Sequence, residues 1–288
     1  MNAALILDLQ KSRSYSDKER NSIQQYLILI TDILNEIFAE RIEKKMRFNG
    51  GDEIQGLFKD QESAFLCLRM ISRALHTIKY HAGIGIGEWT TIVEERDTFY
   101  QDGPVYHRAR NAIDMAKKES DYTAMIVSET EHDPVLNAML NSCYRLINSN
   151  SPYQNELAIL LECRYPILQD YPFKPEALTE FLEIVKNNYG KTMDALSRFQ
   201  DTIIRAQEQM NKGFTLNESM GKHIEINHPT DSVIFKYGHP YGAASELAEY
   251  TGLTRQAVDN ALRKGNAYTE RSVALAIIKQ LRQINFES

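Results

Sequence analysis

Hydrophobic periodicity in residues 1–130 switches back and forth between about two and about 3.6 residues, a pattern that fits neither an all-helical nor an all-strand core. Ala3–Leu9 is a short apolar run that reads as a buried strand, with Asp8 at its end. The polar stretch Gln10–Ser14 follows, and Ser16 stands three residues before Glu19, the spacing of a helix capping box. Ile23, Leu27, Ile30, Leu34, Ile37 and Phe38 then recur at helical period. Met46–Phe48 and Ile54–Phe58 flank Asn49-Gly50-Gly51-Asp52, a hairpin signal. A second amphipathic helix is expected over 62–79, with Phe65, Leu68, Ile71 and Leu75 on one face. The strand Ala82–Glu88 alternates glycine with other residues, which implies close approach by another backbone or a ligand. Gly103-Pro104 opens a third helix with Ala109, Ala112, Ile113 and Ala116 inward, and Thr123–Val127 closes as a strand. The order β-α-β-β-α-β-α-β contains the ferredoxin-like arrangement, so the expected class is α+β.

The chain has 288 residues, enough for two domains. Its 43% apolar and 25% charged content excludes a disordered chain. Three cysteines, Cys67, Cys143 and Cys163, form no zinc spacing and no disulfide framework, which implies reduced thiols. Ala3–Leu7 is too short for a signal segment or a membrane span, so a cytoplasmic protein without membrane contact is expected. The net charge of −6 argues against a general polyanion binder, but it is unevenly spread. Residues 174–288 balance 14 basic against 14 acidic groups, and 252–282 holds six basic residues against two acidic ones. That patch suits either a phosphate-backbone contact or a solvated helix face.

Three regions are expected: a first domain over 1–130, a helical connector over 131–173, and an all-α domain over 174–288. Pro134–Ile147 and Asn155–Cys163 read as helices of the connector. Ser245–Lys264 fits a helix-turn-helix, with Leu247, Ala248, Leu253 and Val258 inward, Gly252 at the turn and Thr254 as the second N-cap. Arg255, Gln256, Asn260, Arg263 and Lys264 would face DNA. A helical packing motif with no DNA partner is the alternative. A degenerate repeat of the same unit is expected over 189–213.

Asp8 ends a strand that a ferredoxin-like sheet would set beside the hairpin carrying Asp52 and Glu53. Neighbouring strands lie about 4.8 Å apart, so Asp8 and Asp52 could share hard cations. Asp52 also fits a plain turn residue.

The string Phe48-Asn49-Gly50-Gly51-Asp52-Glu53-Ile54 resembles the signature of GGDEF diguanylate cyclases, and Ile6-Leu7-Asp8-Leu9 resembles the metal-binding strand of that family and of class III nucleotidyl cyclases. Ala112–Lys118 resembles the late GGDEF helix ending in Ala-Lys. More closely, Asp8–Arg13, Gly51-Asp52-Glu53, Gly83–Glu88, Asp102-Gly103-Pro104 and Ala109-Arg110 resemble the bacterial SatD family, a cyclase-like palm followed by a helix-turn-helix. The resemblance implies that Asp8, Asp52 and the carbonyl of Leu9 bind Mg²⁺ or Mn²⁺. It implies Glu53 as a base or metal partner, and Gly50, Gly51, Lys11, Ser12, Arg13, Arg110 and Lys117 as contacts to a nucleotide triphosphate or cyclic nucleotide. Homodimers are implied, since each resembling family assembles its site across two palms. Class III enzymes place an Asn and an Arg on the third helix, whereas here His107, Arg108, Arg110 and Asn111 stand in a different register. Three functions follow: a nucleotide-sensing regulator of a DNA-binding end, an active purine-triphosphate cyclase or nucleotidyltransferase, or a structural palm.

Overall fold

The computed structural model describes residues 1–49, 53–76, 78–91, 93, 96–119, 121–167, 176–185 and 238–284, without the side chains of Arg13 and Asn49. The hairpin tip with Gly50, Gly51 and Asp52, and the expected repeat over 189–213, lie outside the described residues. The protein is mixed α+β: a five-stranded mixed sheet with helices, then a helical C-terminal region. Two compact units divide it, Met1–Tyr144 with Ile277–Ser288, and Arg145–Ala276. Among the described residues, no helix is long and apolar enough to cross a membrane.

In the first unit, β1 (Asn2–Leu9) is buried on both faces and lies at the centre of the sheet. The capping box of α1 (Asp17–Ile37) forms as expected: the Glu19 amide donates to Ser16 Oγ, and the Ser16 amide donates to Glu19 Oε2. β2 (Ile42–Asn49) and β3 (Glu53–Phe58) pair antiparallel. α2 (Gln61–Ala74) starts where Asp60 accepts from the Ser63 amide. It ends earlier than the apolar period suggests. Leu75 and Ile78 are buried in the turn that follows, where the Ile78 amide donates to the Leu75 carbonyl, so they mimic a helical face without extending the helix. β4 (Tyr80–Gly87), α3 (Pro104–Lys118) and β5 (Ala124–Val127) complete the sheet.

The strand order is β2-β3-β1-β4-β5. β1 runs antiparallel to both β3 and β4, and β5 runs parallel to β4. α3 packs on β4, β1 and β5. Its core contacts are Val105, Tyr106, Ala109 and Ile113 against Ala4, Ile6 and Leu57. Ala3, Leu5 and Leu7, which alternate with those strand residues, are equally buried, and α1 and α2 supply further packing on the sheet. Both faces are therefore covered.

The glycines of β4 explain how close α3 lies. A Cβ at Gly85 would stand 2.2 Å from Val105 O and from Ala109 N, and one at Gly83 would stand 2.4 Å from Ala109 O. The close approach that the glycines signal is the backbone of α3.

Next in the chain are α4 (Asp133–Asn148) and α5 (Pro152–Arg164), the latter opened by a Ser151–Gln154 capping box. Residues 176–185 are helical. Within the second unit, α6 (Ala243–Thr251) and α7 (Arg255–Lys264) are joined by a turn in which Gly252 takes φ +66°. Thr254 accepts from the Ala257 amide, and Leu247, Val258, Ala261 and Leu262 are buried. Ala248 and Leu253, expected inward, are half-buried. α8 (Ala267–Leu281) follows. A buried ion pair ties this unit: Arg271 donates to Glu162 at 2.5 Å and to the Tyr165 carbonyl at 2.7 Å. All three cysteines are buried and none is in a disulfide, and burial pushes the Cys67 and Cys163 thiols up.

Candidate functional site

The strand register decides which side chains share a face. Asp8 is the Cα partner of Glu53 on β3 and of His81 on β4. Alternation places all three on the face that α3 covers, in line with Ala4 and Ile6 on β1, Leu57 on β3 and Gly83 on β4. α3 buries Val105, Ala109, Ala112, Ile113 and Ala116, which leaves His107, Arg110, Asp114 and Lys117 exposed on the helix at three- and four-residue spacing.

Two of those cations reach the strand carboxylates. Lys117 Nζ lies 2.5 Å from Asp8 Oδ2. Arg110 grips Glu53 with both guanidinium ends, at 2.6 Å to Oε2 and 3.1 Å to Oε1. The acids are half-buried and the cations exposed. Hydrogen bonding to Glu53 holds the Arg110 guanidinium above its ordinary range, and the Asp114 and Asp8 charges add to this. Burial, then the Lys117 charge, holds the His81 imidazole below its ordinary value, against smaller opposing effects of a Tyr122 backbone hydrogen bond and Asp8.

Among the sequence-predicted residues, Asp8, Glu53, Arg110 and Lys117 thus come together as two ion pairs. Lys11 is exposed in a left-handed conformation, with φ 54°, and its carbonyl accepts from Ser14. Ser12 opens the short 3-10 turn that precedes α1. At the start of α1, Ser16 takes the Glu19 amide, and Asp17 and Glu19 add negative charge. These acids weaken the attraction of that helix end for an anion. Leu9 is buried and pairs with Tyr80. His107 Nε2 lies 3.3 Å from Asp102 Oδ1. Arg108 binds Glu129 at 2.6 Å and the Ile86 carbonyl at 2.8 Å, so it braces α3 against β4.

Carboxylate oxygens on adjacent strands are the donor type a hard divalent cation takes, and cross-strand partners bring them within reach of one ion. The donor chemistry of Asp8 and Glu53 therefore fits Mg²⁺ or Mn²⁺. Among the described residues, no group of three metal-ligating side chains converges. In this structure the two acids take Lys117 and Arg110 as counter-ions.

A profile described as the SatD family matches residues 2–211. The chain belongs to the SatD family. That SatD match spans the whole sheet and ends before α6 and α7. No curated protein and no solved structure matches this SatD chain.

Sequence reasoning missed His81 and Asp114 as neighbours of the paired groups. The signal for His81 was present, since it alternates with Gly83, Gly85 and Gly87 and so must share their face.

On α7, Arg255, Gln256, Asn260, Arg263 and Lys264 are all exposed. Arg263 donates to Asp259 at 2.7 Å and lies over the Tyr268 ring. A cavity of about 420 Å³ opens beside this helix, lined in part by His239, Tyr241, Arg255, Asp259 and Arg263.

Proposed function

We infer that this protein is a nucleotide- and metal-binding regulator whose sheet unit governs a DNA-binding helix-turn-helix. The observation that carries the reading is the convergence of Asp8, Glu53, Arg110 and Lys117 on one sheet face. Carboxylates for a divalent cation and cations for a triphosphate stand side by side, the combination that a metal–nucleotide complex requires. The order β2-β3-β1-β4 with antiparallel neighbours supports a ferredoxin-like, cyclase-like palm. When bound, Mg²⁺ or Mn²⁺ would supply charge neutralisation for the phosphates. Asp8, with Asp52 and the Leu9 carbonyl, would hold it, while Lys117, Arg110 and the basic stretch Lys11–Arg13 would orient the nucleotide, and Gly50 and Gly51 would let the backbone approach.

Sensing is favoured over turnover by Glu53. Both of its oxygens accept from Arg110, so the candidate base is already engaged. The alternative, cyclisation by attack of a ribose 3′-hydroxyl on the α-phosphorus with loss of pyrophosphate, needs Glu53 released from Arg110.

DNA binding rests on the exposed α7 face, where Arg255, Gln256, Asn260 and Lys264 offer donors and acceptors for base edges and phosphates. Arg263, held by Asp259, contributes less to such a surface.

The deciding experiment is calorimetry of ATP and GTP with Mg²⁺ on the full chain, compared with Asp8→Asn and Asp52→Asn. A neutral amide keeps the shape and removes the charge a hard cation needs. Metal-dependent binding in the parent protein and its loss in both variants support the reading. Equal binding by all three proteins shows that the site lies elsewhere.

A further inference from the structure

The same side chains that would receive the ligands hold one another in this structure. Lys117 Nζ is 2.5 Å from Asp8 Oδ2, and Arg110 closes on both oxygens of Glu53. The acids belong to strands and the cations to one helix. A divalent cation on Asp8 needs the carboxylate that Lys117 now occupies. A phosphate on Lys117 needs the ammonium that Asp8 now occupies. Either ligand alone breaks an ion pair and leaves its partner without a counter-charge, at the modest cost of a partly exposed pair. Both ligands together exchange partners, carboxylate to metal and ammonium to phosphate, so each charged side chain keeps an opposite charge beside it.

We propose that the Asp8–Lys117 and Glu53–Arg110 pairs form a latch that makes the site answer to divalent metal and triphosphate jointly and only weakly to either alone. This rests on the metal–triphosphate reading above. A neighbouring group fits it. Asp114 stands near Arg110 and gives the displaced guanidinium a second acid on its own helix. Exposure of Lys117 and Arg110 keeps the latch weak enough to open, because solvent screens such pairs. By linkage, whatever favour the metal lends the triphosphate, the triphosphate returns to the metal.

The test uses equilibrium binding to the full chain with three probes: Mn²⁺ alone by electron paramagnetic resonance, ATP or GTP alone in EDTA, and the two combined. Lys117→Met removes the competitor for Asp8 and is expected to tighten Mn²⁺ alone by about two- to fivefold, the range of a partly exposed ion pair. Asp8→Asn frees Lys117 and is expected to tighten metal-free ATP or GTP by a similar factor, while metal-dependent binding is lost. Both expectations are gains, which misfolding does not produce. If the parent protein binds Mn²⁺–triphosphate but neither variant tightens its single ligand, the latch is overturned and the site stands. If the parent protein binds no Mn²⁺–triphosphate, the site and the latch both fall.

Discussion

At Gly85 an added Cβ would meet the backbone of α3 at 2.2 Å, a contact that no side-chain rotation relieves. Gly85→Ala is therefore expected to destabilise the protein by about 3 kcal/mol, the upper end for overpacking, as read from denaturant midpoints. Gly242 provides the contrast. It takes φ +81° with nothing within 4 Å of a built Cβ, so Gly242→Ala meets only backbone strain, about 1 kcal/mol. Equal losses at the two sites would contradict the packing argument. The alternation of glycines announced a close approach in the sequence, but only the fold identifies α3 as what approaches. His81 supplies a pH prediction. Burial and Lys117 hold its pKa below the ordinary 6.5, so the unfolded chain takes up a proton before the native protein does. Its contribution to stability is complete above about pH 6.5 and is lost as pH falls through the lower native value. His81→Gln is expected to flatten the fall in Tm between about pH 7 and pH 5 in scanning calorimetry, and an undiminished fall would assign the acid sensitivity to other groups.

At the scale of elements, caps and turns were the most legible features. Ser16 with Glu19, Gly103-Pro104, and Gly252 with Thr254 mark ends that the structure forms, because capping is a local matter of a few residues. α5 was legible only in part. All eight residues from Leu157 to Arg164 are buried, so no polar stripe marks a helical period, and its true start is fixed by the Ser151 cap. Four of the expected residues, Asp8, Glu53, Arg110 and Lys117, meet on one face, but their pairing was not legible. Glu53 and Arg110 lie 57 residues apart, and periodicity gives the face of a strand or helix without saying which cation meets which acid. For the pair α6 and α7, Thr254→Ala is expected to cost about 1 kcal/mol, since it orphans the Ala257 amide. If α7 enters the major groove, Lys264→Ala lowers the slope of affinity against salt by about one unit on all sequences. Gln256→Ala instead costs roughly 1–3 kcal/mol on the preferred site alone. Random-site selection at low salt measures both, and failure to enrich any sequence would make α6 and α7 a packing motif.

For the whole molecule, charge and family membership bear on different units. The SatD match covers the sheet and stops at residue 211, so the paired carboxylates and cations fall within it and α7 does not. The acidic excess lies in residues 1–173, where 25 acidic residues face 19 basic ones, so under the proposed reading a nucleotide would be held by local contacts to Lys117 and Arg110 rather than drawn by the overall field. A palm that shares its site with a second copy is a further expectation. Sedimentation at micromolar concentration should show a dimer, with or without nucleotide, and a monomer under both conditions would leave only a self-contained sensor or a structural role. The most direct measurement is anomalous scattering from crystals grown with Mn²⁺ and a non-hydrolysable purine triphosphate. The predicted result is a manganese peak on the Asp8 carboxylate, with Lys117 turned from Asp8 to a phosphate oxygen. A manganese peak or nucleotide bound on any other surface, with the Asp8–Lys117 pair intact, would contradict it.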